Sequence, residues 1–180
     1  LMAPNELQKD KIIIAGQTIP IDLGDINQSD LRFYPENPRI YSILNAGEEE
    51  PTQAVIQNRL EKMDHVKKLI SSIRSNGGLT DALIVRKGQM MVLEGNSRLA
   101  AYRVLARNHP GKWARVPCKL LPEDIDEALV FSLLCQYHII GRKDWAPYEQ
   151  AGYLYRRVTN HKVGVDQIAR ELGLSVKTVN

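Results

Sequence analysis

Up to Pro122 short β-branched apolar runs alternate with stretches of helical spacing, and beyond it the spacing is helical throughout. Lys11–Ala15 and Ile19–Leu23 are isoleucine-rich, and Gly16-Gln17 between them predicts a hairpin or two consecutive strands. Leu1 to Asp10 reads as a frayed lead-in. Asn37-Pro38-Arg39 predicts a break, because proline restrains the residue before it. Tyr41 to Thr52, with Gly47, an acidic triplet at Glu48–Glu50 and Pro51, predicts an exposed loop. From Val55 to Ser75 the apolar residues Val66, Leu69, Ile70 and Ile73 share one helical face, and Asn76-Gly77-Gly78 stops that helix in the manner of a left-handed cap. Ala82–Arg86 and Met90–Glu94 predict two strands about Lys87-Gly88-Gln89. Ser97–Arg107 predicts a helix, and Val116–Leu120 a last strand before Pro122.

Beyond Pro122 the pattern is helical throughout, over Asp124–Tyr137, Pro147–Asn160, Val165–Leu172 and a final segment from Ser175, with short Gly- and Pro-marked turns. The expected fold class is α+β: a small mixed-sheet domain over residues 1–122, followed by an all-α domain over residues 123–180. The chain opens at Leu1 and stops at Asn180 inside a helical pattern, as expected of a piece of a longer protein.

Composition narrows the function classes. A hydrophobic fraction of 43% and a charged fraction of 25% exclude disorder of the whole chain. No apolar run approaches the roughly 20 residues of a membrane span, and the N-terminus lacks the basic-then-apolar pattern of an export signal. Two cysteines, Cys118 and Cys135, make no disulfide framework, so a reducing cytoplasm is expected. The net charge of +3 is mild, but its distribution is uneven. Gly95 to Lys119 holds six basic residues and no acidic one; Gly141 to the end holds seven basic against four acidic. Several machines are absent: Gly111-Lys112 lacks the upstream glycine of a phosphate-binding P-loop, the four histidines share no metal-ligand spacing, and Leu99 stands where a Gly-x-Ser-x-Gly elbow needs its second glycine. No metal site is expected from the side chains.

Two stretches carry chemistry. In the first, the apolar strand ending at Glu94 runs into Gly95, and a helix opens with Asn96, Ser97 and Arg98. A helix start presents unpaired N–H groups and partial positive charge, which suit an anion. Gly95 lets a phosphate approach the backbone, Ser97 adds a hydroxyl, Arg98 adds a cation, and Ala100 and Ala101 allow close packing on the sheet. The competing reading is structural, with Asn96 or Ser97 as a simple N-cap. The second stretch runs from Asp166 to Val179. Ala169, Gly173 and Val179 stand where a helix-turn-helix needs a small residue, a turn glycine and an apolar anchor, with Ile168, Leu172 and Leu174 between the helices. A recognition helix from Ser175 would aim Val176, Lys177, Thr178 and Asn180 at duplex DNA, with Gln167 nearby. An ordinary helical hairpin is the alternative. Tyr137, Tyr148, Tyr153 and Tyr155 at helical spacing read as packing, as do Trp113 and Trp145.

Asn37-Pro38-Arg39, the helix ending at Gly77-Gly78, the strand over Leu83–Arg86, and Gly95-Asn96-Ser97-Arg98-Leu99-Ala100-Ala101 resemble, in that order, the ParB/sulfiredoxin-like domain. The block holding Arg142-Lys143-Asp144-Trp145-Ala146-Pro147-Tyr148-Glu149-Gln150-Ala151 and the helix-turn-helix resembles the ParB middle domain, so the likeness covers roughly residues 11–180. The resemblance implies a chromosome- or plasmid-partition protein: a homodimer in the cytoplasm, associated with nucleoid or plasmid, that binds a nucleoside triphosphate (CTP or ATP, with Mg²⁺) and double-stranded DNA. It places Gly95, Ser97, Arg98 and Ala101 on one phosphate motif and Arg142 on a second, with Asn96, Gly78, Thr80, Asn37 and Arg39 as further nucleotide contacts.

The chain departs from the family at telling points. Gly95-Asn96-Ser97-Arg98 replaces Gly-Glu-Arg-Arg, Thr80-Asp81-Ala82 lacks the proline of the base-reading segment, and His138-Ile139 stand where the family has a hydrolytic acid and an amide for Mg²⁺. Isoleucine offers Mg²⁺ no ligand. Sulfiredoxin chemistry needs a thiolate, and Ser97 precedes Arg98 here. An NTPase or small-molecule kinase on the same fold is the alternative function, with Glu94 as a candidate general base and His138 as a second candidate catalytic residue. The bland role for Glu94 is to tie down Arg98 or Arg103.

Overall fold

The computed structural model describes residues 6–43, 51–141 and 146–179. Its strands are β1 (Gln8–Ile14), β2 (Gln17–Asn27), β3 (Arg32–Phe33), β4 (Leu83–Arg86), β5 (Met91–Glu94) and β6 (Arg115–Leu121), joined in one sheet in the order β1-β2-β6-β4-β5-β3. Pairs β1–β2, β2–β6 and β4–β5 are antiparallel, while β4–β6 and β3–β5 are parallel. The fold is α+β with a mixed sheet, as the sequence predicts. The hairpin turn sits one residue earlier than expected: Ala15 and Gly16 take φ of 48° and 76°, the left-handed pair that matches strand twist in a two-residue turn. β1 also recruits Gln8, Lys9 and Asp10 from the supposed lead-in, pairing them with Leu23, Asp22 and Ile21.

The helices are α1 (Pro38–Ile43), α2 (Gln53–Glu61), α3 (Asp64–Asn76), α4 (Asn96–Asn108), α5 (Pro110–Trp113), α6 (Glu127–Cys135), α7 (Pro147–Thr159), α8 (Val165–Leu172) and α9 (Val176–Val179). Three expectations are corrected here. Pro38 opens a helix instead of ending structure, since a first-turn position needs no N–H; α1 therefore enters the expected loop, whose residues 44–50 lie outside the described residues. The helix expected over Val55–Ser75 is two, because Met63 turns extended (φ −74°, ψ 138°) and Asp64 restarts the helix with an acidic first turn. The segment expected over Asp124–Tyr137 begins at Glu127, capped by the Asp126 carboxylate on the Ala128 N–H at 2.6 Å, and passes at Gln136–Gly141 into a π-helical turn.

Both faces of the central strands β4, β5 and β6 are covered, whereas β1 is mostly exposed, and strand alternation sorts the side chains between the faces. Leu83, Val85, Val92, Cys118 and Leu120 face one core, with Ile56 and Leu60 of α2, Val66 and Ile73 of α3, and Leu99, Ala100, Ala101 and Leu105 of α4. Ile84, Leu93 and Leu121 face the other, with Leu129, Val130, Phe131, Leu133, Leu134 and Cys135 of α6, Tyr153 of α7, and Ile168 and Leu172 of α8. That second core joins residues from both sides of position 122. Trp113 packs edge-on against Tyr102 with ring centroids 5.5 Å apart, as its packing role predicts; Trp145 lies outside the described residues. Tyr148 and Tyr155 correct the packing expectation, being 68% exposed each, whereas Tyr153 is buried. No described helix is long and apolar enough to cross a membrane.

Candidate functional site

Between β5 and α4 the chain turns on Gly95, whose φ of 101° lies in the left-handed region. A Cβ there would collide with Leu83 Cδ2 and stand 3.0 Å from Arg98 Nη2. Conformation and space both demand glycine. Gly95 is itself the N-cap, so Asn96, Ser97 and Arg98 form the first turn of α4 instead of capping it. Their N–H groups have no acceptor one turn back in the helix, and this end of α4 borders a cavity of about 780 Å³, a volume typical of small-molecule sites.

One face of α3 forms the opposite wall through His65, Lys68, Leu69, Ser72, Ile73 and Asn76. Gly78, Leu79, Thr80 and Asp81 of the loop after α3 close one end, Asn37 and Ile40 of α1 another, and His138 enters from the π-helical turn after α6. A π-turn adds a residue to the helix and re-aims the side chains that follow, a device common at functional sites.

The polar groups are interlocked. Glu94 forms an ion pair with Arg98 Nη2, and Arg98 Nη1 donates to the Asp81 carbonyl at 2.6 Å. Glu94 Oε1 lies 3.9 Å from His138 Nε2, both side chains being buried. Ser97 Oγ is 2.9 Å from His65 Nε2. Asn96 donates from Nδ2 to the Val92 carbonyl at 2.9 Å and accepts from the Tyr34 N–H at 3.1 Å, pinning β5 to the segment after β3. Lys68 is exposed at the rim. The cavity thus presents a helix N-terminus, Lys68, Arg98 and a serine–histidine pair; its carboxylates are Asp81 and Glu94.

Nine residues singled out in the sequence meet in this cavity: Gly95, Asn96, Ser97, Arg98, Gly78, Thr80, Asn37, Glu94 and His138. Ala101 does not, because it faces the core between α4 and the sheet with no exposure. The Arg39 side chain and Arg142 lie outside the described residues. Sequence reasoning missed His65, Lys68, Ser72, Asn76 and Asp81. For the four on α3 the signal was their spacing of three, four and four, a polar flank beside the apolar face.

Among the described residues no group of three His, Cys, Asp or Glu side chains could hold a metal ion. Glu94, one of the cavity's two carboxylates, is committed to Arg98, so the described side chains offer Mg²⁺ a poor ligand set. Both cysteines are buried, and burial pushes the Cys118 thiol up to about 12 and the Cys135 thiol higher still; neither is a thiolate at neutral pH.

In the helical block, α8 ends at Gly173 (φ 65°), with the Leu174 N–H returning to the Ala169 carbonyl at 2.9 Å, a left-handed cap that reverses the chain. Ser175 Oγ accepts from the Thr178 N–H at 3.2 Å and caps α9. Ile168, Ala169 and Leu172 are buried, while Gln167, Ser175, Val176, Lys177 and Thr178 are exposed. Gln167 is tied along its own helix to Glu171 at 2.9 Å. Asn180 lies outside the described residues.

No family model and no curated protein matches the chain. Among solved structures, the chain is similar in fold to the C-terminally truncated chromosome-partitioning protein ParB from Caulobacter crescentus. Against the complex with CTP-gamma-S the TM-score is 0.40 at 15% identity, covering 87% of this chain and 74% of that one. Against the complex with the centromeric parS site the TM-score is 0.44 at 15% identity, covering 86% of this chain and 67% of that one.

Proposed function

We propose that the chain is a nucleotide-responsive, DNA-binding protein of the partition or regulatory kind, with residues 1–122 binding a nucleoside triphosphate and residues 123–180 binding duplex DNA as part of a homodimer. The observation that supports this most is the convergence of the α4 N-terminus, Arg98 and Lys68 on a cavity large enough for a nucleotide. The phosphates sit on the N–H groups of residues 96–98, within reach of Ser97 and His65, and Lys68 meets the terminal phosphate at the rim. Ile40, Leu69, Ile73 and Leu79 form the apolar wall for the base. CTP is the first candidate, on the resemblance of the glycine motif. Arg98, held by Glu94 and the Asp81 carbonyl, is pre-set to face an anion.

The kinase or NTPase alternative asks Glu94 to take a proton. The ion pair commits that carboxylate to Arg98, so Glu94 is better read as a positioning residue for Arg98.

Thermal denaturation against CTP, ATP, GTP and ADP, each with and without Mg²⁺, tests the reading. A ligand at about 100 times its Kd adds about 2.7 kcal/mol to a folded state it alone recognises, a rise of several degrees for a chain of this size. One triphosphate should give that rise, and Arg98→Ala should lose most of it. A flat response to every nucleotide would leave the Gly95 turn purely structural.

A further inference from the structure

A second, smaller cavity lies on the other side of α1, where Tyr34 and Glu36 after β3 meet α6 and α7. Arg157 of α7 lines it and is only 8% exposed. Its guanidinium lies over the Phe131 ring, 4.8 Å from the centroid, and among the described residues its Nε has no hydrogen-bond partner and the side chain has no ion pair. Burying a cation without an anion is strongly unfavourable, so this arrangement asks for a counter-charge.

Two carboxylates, Glu36 and Glu127, line the same cavity, and both have partners other than Arg157. Glu127 is bridged to Arg86 at 2.7 Å. Glu36 accepts from the Tyr34 hydroxyl at 3.3 Å. On α8, Glu171 accepts from Gln167 through Oε1 at 2.9 Å, while its buried Oε2 has no hydrogen-bond partner and the side chain forms no ion pair with Arg157 among the described residues. Two further basic groups border the same space. Arg156 is stacked on Tyr41 at 3.9 Å, and His161 has its Nε2 3.8 Å from Glu36. The cavity is about 190 Å³, below the range of nucleotide and drug-sized pockets. Arginine forks match tetrahedral oxyanions in shape as well as charge.

We infer that this cavity is a binding site for a phosphate-sized oxyanion, held by Arg157 with Arg156 and His161 at its sides. The occupant joins the segment after β3 to α7 and so fixes the helical block against the sheet. The site is independent of the nucleotide cavity.

Calorimetric titration of inorganic phosphate into the chain at constant ionic strength, with sulfate and acetate as comparators, tests it. The expected result is one phosphate bound per chain, with acetate much weaker. Arg157→Met should weaken phosphate at least tenfold, and Arg157→Lys, which keeps charge without the fork, should fall between. Should Arg157→Met fail to fold, His161→Gln, at a side chain 41% exposed, should still weaken phosphate by threefold or more. No phosphate binding, or equal binding by wild type and Arg157→Met, would overturn the inference. So would loss of phosphate in Arg98→Ala with retention in Arg157→Met, which would put the anion in the large cavity. A nucleotide-induced melting shift without a phosphate site would sink this inference and leave the nucleotide reading standing; the reverse would do the opposite.

Discussion

Gly95 decides whether the large cavity has a positive floor. Any side chain there must adopt a left-handed φ and displace Leu83, and without that turn α4 would not start where β5 ends. Forcing a non-glycine residue into this region costs about 1–2 kcal/mol before the collision is counted. Gly95→Ala should therefore lower stability by about 2 kcal/mol or more, read from the urea midpoint, and should abolish any nucleotide-dependent shift. A variant as stable as wild type would mean that the turn tolerates a Cβ and that neither φ nor space restricts the position to glycine. Gly95 was legible in the sequence because a glycine between an apolar strand and a helix marks a sharp turn that most side chains would obstruct. Asn96 was legible as a site residue only in part. Its place beside the cavity followed from the motif, but both ends of its amide are spent on Val92 and Tyr34, and a partner 62 positions away leaves no trace in local pattern.

At the scale of elements, α8 matches its expected bounds, and the turn at Gly173 has the expected left-handed conformation. Period and glycine both speak locally. The division between α2 and α3 had no such signal: neither proline nor glycine stands at Lys62 or Met63, and the break is set by how each helix packs on α4. For the same reason α3 hid half of the site, since its polar flank becomes a cavity wall only once α4 lies opposite. The exposed side chains of α9 carry a prediction that belongs to this scale. If Lys177 contacts a DNA phosphate, Lys177→Ala should weaken duplex binding across sequences and reduce the slope of log affinity against log salt by about 1. An unchanged slope would place the DNA surface elsewhere. The exposed Tyr148 and Tyr155 on α7 show where the pattern misleads, because helical spacing of aromatics says that they share a face and not that the face is covered.

For the whole molecule, the important fact is that the centre of the sheet is buried on both sides. Leu83, Val85 and Val92 support the cavity layer, while Ile84, Leu93 and Leu121 bind the α6–α8 layer, so the two are separated by one strand's thickness. The composition change at Pro122 made the order of the layers legible, but it could not reveal that the helical part shares a core with the sheet. Apart from Glu127 and Ser132, α6 is apolar on every side, which is the mark of a helix buried almost all round. It continues into the turn that carries His138 to Glu94, giving the helical block a direct reach into the cavity. Central to the proposed function is that this cavity holds a nucleotide on the α4 N-terminus. Amide hydrogen exchange with and without the triphosphate that shifts melting tests it most directly. Protection should rise at residues 96–99 and along the cavity face of α3, with a smaller rise at the turn carrying His138. Unchanged exchange at residues 96–99, with or without protection elsewhere, would contradict it.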